Sequence, residues 1–246
     1  MTVDPFVHLH VASGYSLQYG ASLPHVLVER AAEQEMDTLA LTDRDGTYGA
    51  VKFAKACLQA GMRPVLGVDL AVAPLLGPPG GSRPAPGSRQ SPRTPVRGGA
   101  FRAAELPRVT FLAGSRRGWA ALCRLVSATH LAGERGEPRS SLDLVAEHVA
   151  GNDVLVLLGP GSELGGAVTQ RREDLARAAL APWLEVVDHT DLLLELVSHR
   201  LPGAGPGCGP DRPTPDRPSR GATARSTPSS GRIPACRQAL ANLTAP

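Results

Sequence analysis

Two spacings of apolar residues alternate along the first 73 positions. FVHLH (6–10), TLALTD (38–43) and PVLGVDLAVA (64–73) are apolar runs of strand length. Between them, LPHVLVERAAEQ and YGAVKFAKACLQAG (48–61) read as helices, the first with Val26, Leu27, Arg30 and Ala31 at helical spacing. Ser22 is placed as the N-cap of that first helix with Pro24 in its opening turn, and Gly61 closes the second. A β-α-β-α-β run predicts parallel strands joined by helical crossovers.

The alternation resumes further on. RVTFLA (108–113) reads as a strand, GWAALCRLVSATHLAG (118–133) as a helix, and SLDLVAEHVA (141–150) as a short helix capped by Ser140 or Ser141. DVLVLLG (153–159) is a strand, EDLARAALAPWLEVV (173–187) a helix interrupted near Pro182, and LLLELVSH (192–199) a sixth strand. GPGSELGG (159–166) lacks the Lys-Ser/Thr of a phosphate-binding loop and reads as a plain loop. The fold class is α/β with mainly parallel strands, over a domain at 1–200.

Two stretches break the pattern. Residues 74–99, PLLGPPGGSRPAPGSRQSPRTPVRGG, form a low-complexity insertion far longer than an ordinary connection. Residues 201–246 hold nine Pro and six Gly without a periodic apolar face until the last ten residues. That tail is either a natural disordered segment or the product of a frameshift in a GC-rich gene. Both stretches are expected to be the first sites of proteolysis.

These two stretches also explain the charge. The chain is +3 with a pI near 8.9, which invites a nucleic-acid reading. Yet residues 201–246 carry six Arg against two Asp, and residues 74–99 four Arg and no acid, leaving the patterned remainder at −5. The folded body therefore offers no basic groove, and contact with DNA is expected to be indirect. Four cysteines show no CxxC spacing, and Cys57 and Cys123 sit in apolar helical patterns as buried thiols. No targeting segment or membrane span is evident, so the expectation is a soluble protein of the reducing cytoplasm.

The chemistry gathers at strand ends. His8 and His10 are two apart on a strand and so share a face. If the strands are parallel, their C-terminal ends form one rim, where His8 and His10 meet Asp43, Arg44 and Asp45 of TDRDG, Asp69 of GVD, and His199. Imidazole and carboxylate ligands together suit Zn, Mn or Mg and a metal-activated water. His25, His130 and His148 are read as solvated or capping groups, and Trp119 and Leu122 as packing a helix on the sheet.

In this order the motifs HLHVASGYSLQYGAS, LVERAAEQEMDTLALTDRDGTYGAVKFAKACLQAGMRPVLGVDL, VTFLAGSRRGWAALCRLVSATHLAG and DVLVLLGP resemble the PHP (polymerase and histidinol phosphatase) domain at the N-terminus of bacterial DNA polymerase III alpha subunits. The resemblance covers about residues 5–200 apart from the insertion. It implies an incomplete form of a distorted seven-stranded β/α barrel with a metal cluster at its C-terminal rim, supporting phosphoester hydrolysis or 3′–5′ exonuclease activity in metal-binding members.

This chain departs from the family pattern at several ligand positions. His8 and His10 match the HxH pair, while Ala12 stands where a third His is frequent. Tyr19 stands where the family has an acid before Gly20 and Ala21. Arg44 replaces the His of Thr-Asp-His, Asp69 replaces a glutamate, and Pro160 stands where some members have Cys. An arginine cannot deprotonate to become a ligand, and it opposes a nearby cation.

The residual metal set is therefore His8, His10 and Asp69, lined by Tyr19, Asp43, Arg44, Asp45 and His199, with zinc, manganese or magnesium bound weakly or not at all and no catalytic residue assigned. The resemblance implies a scaffold for the polymerase domains of a full-length alpha subunit and for replisome subunits. The catalytic aspartates of a DNA-directed DNA polymerase would lie downstream, so this chain alone is not expected to make DNA. The alternative is a stand-alone metal-dependent PHP phosphoesterase.

Overall fold

The computed structural model describes residues 6–76, 106–133 and 137–197. The tail at 201–246, His199 and all but the first three residues of the insertion lie outside them. Five strands form one sheet in the order β1 (Thr38–Arg44), β2 (Arg63–Ala71), β3 (Arg108–Ala113), β4 (Val154–Leu158) and β5 (Leu192–Leu194). β1 and β2 are parallel, as are β4 and β5, whereas β3 runs antiparallel to both its neighbours. The mainly parallel expectation holds, with one reversal that shapes the site.

Residues 6–11 lie beside β1 without becoming a regular strand. Ala40 donates its N–H to the carbonyl of His8 at 3.0 Å and Thr42 to that of Val11 at 2.8 Å. The segment advances three residues while β1 advances two, so an extra residue interrupts the ladder as in a bulge. The expected strand 6–10 is thus a paired but irregular edge.

The sheet curls. Six neighbouring segments at ~4.8 Å spacing would separate the outer two by roughly 24 Å if flat. Instead His10, on the first, lies 3.0 Å from Glu195, which directly follows β5 on the last. Leu9 and Leu193 pack on one inner cluster with Ala40, Val65, Leu112, Leu155 and Leu157. Strand alternation sends one set of side chains inside the curl and the other outward. Val68, Leu70, Val109, Phe111, Val154 and Val156 face outward against α3 (Arg116–Ala132), α4 (Leu142–Val149) and α6 (Glu173–Val186). Leu39 and Leu41 meet α1 (Pro24–Glu33) and α2 (Ala50–Gln59) through Val28, Phe53 and Cys57.

Several local expectations change. The N-cap of α1 is Leu23, with no side-chain cap bond, and Pro24 holds the first turn in place of a Ser22 cap. α6 runs unbroken through Pro182, held by burial of Ala179 and Trp183 in the outer core. The glycine-rich loop after β4 contains α5 (Glu163–Thr169), because the Ser162 side chain accepts from the Gly165 N–H and caps it. Ser141, not Ser140, caps α4, and β5 ends at Leu194.

Gly61 closes α2 at φ +70°: its N–H reaches the Leu58 carbonyl and that of Met62 the Cys57 carbonyl, a Schellman ending. Cys57 is buried, and desolvation pushes its thiol up to about 11, while Cys123 is only half-buried. Leu122 joins the outer core, but Trp119 lines an open groove along α2. Among the described residues no helix is long and apolar enough to cross a membrane.

Candidate functional site at the rim of the curled sheet

The inner face of the curl changes character along its length. Its lower part is the apolar cluster around Ala40, Val65, Leu112 and Leu157. Towards the ends of β1 and β2 and the start of β3 the same face turns polar: Arg44 on β1, Asp69 on β2, and Thr110 and Arg108 on β3. Register puts Arg44 opposite Asp69, Asp69 opposite Thr110, and Ala71 opposite Arg108. Because β3 runs backwards, it contributes its first residue, not its last, to this rim.

Arg108 is the centre of the constellation. Its Nε donates to Asp69 Oδ2 at 2.8 Å and its Nη2 to the Asp69 carbonyl at 2.6 Å. The same fork reaches Asp45, with Nη2 at 2.9 Å from Oδ1 and Nη1 at 3.3 Å from Oδ2. Desolvation of the buried guanidinium works against its charge, but the Asp69 and Asp45 carboxylates outweigh it and raise its pKa further. Asp45 sits at φ +55°, a left-handed position that Asp tolerates, and this turn directs its carboxylate back to the rim. His130 Nε2 meets the Asp45 carbonyl at 2.6 Å, so that histidine is a brace rather than a free surface group.

Arg44 and Tyr19, two of the departures from the family pattern, touch each other. The Arg44 guanidinium lies 3.4 Å from the centroid of the Tyr19 ring, and its Nε lies 3.9 Å from Asp69 Oδ2. Stacking on the phenol holds the cation without requiring a second carboxylate. Asp69 therefore has one guanidinium bonded to it and another close by. Its Oδ1 is buried without a hydrogen-bond partner.

His10 lies on the far side, 3.0 Å from both carboxylate oxygens of Glu195 and 3.4 Å from the Thr110 hydroxyl. The hydrogen bond to Glu195 is the main cause that raises the His10 pKa above 6.5, against desolvation and Arg108, with Glu195 and Asp69 charges adding to it. The stability this pair contributes is fully present below the unfolded-state value of 6.5 and declines as pH rises through the higher folded value. Glu195→Gln is therefore expected to lower the melting temperature most near about pH 6, with the difference from wild type shrinking as the pH rises. A difference that grows with pH would contradict the assignment. His8 is exposed and stacks edge-on with Phe6, ring centroids 4.8 Å apart.

Asp43 lies elsewhere. It shares the outward face of Leu39 and Leu41, and its buried carboxylate accepts from Ser13 N at 2.7 Å, Ser13 Oγ at 2.8 Å and Ser16 Oγ at 2.8 Å. A Cβ at Gly49 would come within 2.6 Å of Asp43 Oδ2, so only glycine allows α2 to begin so close. Of the residues singled out in the sequence, the structure gathers His10, Arg44, Asp45 and Asp69, with Tyr19 over Arg44. It separates Asp43 from them, and His199 lies outside the described residues.

Arg108 and Glu195 escape a search confined to the C-terminal ends of parallel strands. The signal for Arg108 is that no helix is predicted between β2 and β3, so a parallel crossover was never required. The signal for Glu195 is a lone acid inside the apolar run LLLELV.

A metal centre of the expected kind does not fit this donor set. Among the described residues no group of three or more His, Cys, Asp or Glu is placed to hold a metal ion. Asp69 Oδ1, a buried acceptor without a hydrogen-bond partner among the described residues, stands beside two guanidinium groups. Each fixed positive charge at about 4 Å opposes a divalent ion by roughly 8 kcal/mol at an effective dielectric of ~20.

A PHP-domain family model matches residues 8–199. An error-prone DNA polymerase of Mycolicibacterium paratuberculosis is 32% identical over 199 residues, covering 80% of this chain and 16% of the relative. A DNA polymerase III subunit alpha of Saccharopolyspora erythraea is 30% identical over 211 residues, covering 82% and 17% respectively. Among solved structures, an amidohydrolase from Chromobacterium violaceum with bound sulfate and no metal aligns at TM-score 0.43 and 18% identity, over 70% of this chain and 74% of that one. The chain belongs to the PHP-domain family, and it resembles the N-terminal region of error-prone and III alpha DNA polymerases. It spans about one sixth of the length of these polymerase relatives.

Proposed function

We propose that this PHP domain is a structural module of a bacterial DNA polymerase of the error-prone or III alpha type, and that it hydrolyses no phosphoester by itself. The observation that carries this reading is the commitment of Asp45 and Asp69 to Arg108. Metal-assisted hydrolysis needs carboxylates and imidazoles free to hold an ion and its water. Here two carboxylates are bound to a guanidinium, and His10 is bound to Glu195. The partners that fit a module of this kind are the polymerase domains of the same type of polypeptide and the replisome subunits around them. The −5 charge of the patterned residues supports contact with DNA through those partners rather than directly.

A second reading, a metal-dependent phosphoesterase or 3′–5′ exonuclease, is favoured by the buried and unclaimed Asp69 Oδ1. The two separate in one assay. The purified chain is incubated with Mn2+ or Zn2+ and either 3′-labelled single-stranded DNA or an aryl phosphate. No turnover above the metal-only control is expected. Metal-dependent turnover that Asp69→Ala abolishes would establish the second reading instead.

A further inference from the structure

We propose that the open groove between α2 and the start of α3 docks an amphipathic protein helix whose apolar stripe is flanked by Asp and Glu. The proposal rests on the structural-module reading and deepens it, because it names a docking surface and the chemistry of the partner. α2 is apolar on two faces. Ala50, Phe53 and Cys57 are buried against the fold, the single stripe that a surface helix needs. Val51, Ala54 and Leu58 repeat that spacing about 100° round the helix, where Val51 is 82% exposed and Leu58 73%. With Leu66 and the half-buried Trp119, this second stripe lines a groove of about 580 Å³.

Charge selects the occupant. Neither α2 nor α3 contains an acid, whereas α2 carries both lysines of the chain, Lys52 and Lys55, and α3 carries Arg116, Arg117 and Arg124. Lys55 lines the groove, and Arg116 stands one helical turn before Trp119. Among the described residues neither Lys55 nor Arg116 is in an ion pair. The patch is positive on a body whose patterned residues sum to −5. A second copy seated here about a two-fold axis would set α2 against α2 and lysine against lysine, which opposes association. A helix with acids beside its stripe meets a cation from each wall instead. Its length follows from α2, whose 10 residues span about 15 Å. Three turns with apolar anchors at i, i+3 or i+4, and i+7 match that span.

The test is selection from a displayed library of helical peptides of about 14 residues, with the full chain as bait. The library fixes apolar residues at i, i+3 and i+7 and randomises the positions beside them over Asp, Glu, Lys, Arg, Ser and Gln. Retained peptides are expected to be enriched in Asp and Glu. Leu58→Glu should weaken the tightest of them by about tenfold or more. Lys55→Glu should weaken it by about threefold or more, with the difference narrowing in about 0.5 M salt. Binders without acidic enrichment, binders indifferent to Leu58→Glu, or no binder at all would overturn the proposal. Two measurements without peptide expose other occupants. A dimer in sedimentation that Leu58→Glu dissociates would give the groove to a second copy. Leu58→Glu is expected to move the melting temperature by less than about 2 °C, as at any open surface position. A drop of several degrees would show the groove already covered by another segment of this chain. Either result overturns the proposal and leaves the module reading in place, which metal-dependent hydrolysis alone would defeat.

Discussion

Arg108→Ala is expected to cost about 3–5 kcal/mol of folding stability, because it strands partners that are already out of water. The side chain of Asp69 is 7% exposed and that of Arg108 14%, so little solvent is available to take over the bonds. Two carboxylates and the Asp69 carbonyl lose a donor together. Urea unfolding of wild type and variant measures the difference, and a double-mutant cycle with Asp69→Asn isolates the pair. Asp69→Asn should largely suppress the Arg108→Ala penalty, since the uncompensated charge is then gone. A loss under about 1 kcal/mol would class the bridge with ordinary surface pairs, and the account of the rim would fail.

Asp43→Ala is the second large effect, expected at about 2–4 kcal/mol. The Asp43 carboxylate is 1% exposed and accepts from one backbone N–H and two serine hydroxyls. Removing it leaves three donors buried without an acceptor, although the hydroxyls can rotate to find others. Ser16 Oγ also accepts from the Arg44 N–H at 2.9 Å, and Tyr19 donates its N–H to the Ser16 carbonyl at 2.9 Å. Loosening Ser16 thus loosens the loop that carries Tyr19 over Arg44. Asp43→Asn keeps one acceptor oxygen and should lose roughly half as much. An Asp43→Ala protein as stable as wild type in urea would show that the cradle does not hold this loop.

Much of the fold was legible because burial imposes a period. β1, β2, β3 and β4 fall within a residue or two of the apolar runs that mark them. α2 ends at the glycine that its C-terminal geometry requires. Legibility fails where long-range contacts decide. Period alone does not give strand direction, and the reversal of β3 brings Arg108 to the rim. Nor does it reveal closure, which depends on Leu9, His10, Leu193 and Glu195 meeting across the curl. Asp43 shows a third limit. As part of a three-residue motif it looks like a companion of Arg44 and Asp45, yet adjacent residues on a strand face opposite ways. The two substitutions at Tyr19 and Arg44 were visible as departures, but their mutual contact was not, since 25 positions separate them.

The central claim is that an arginine, not a metal ion, supplies the positive charge of this rim. Its most direct test is elemental analysis of the full chain after saturation with zinc or manganese and dialysis against metal-free buffer. The account predicts well below one equivalent of either metal per chain, roughly a tenth or less, because ligands are few and two guanidinium groups flank the carboxylate. One equivalent of metal retained by the wild-type protein, and lost on replacing Asp69 with alanine, would contradict it.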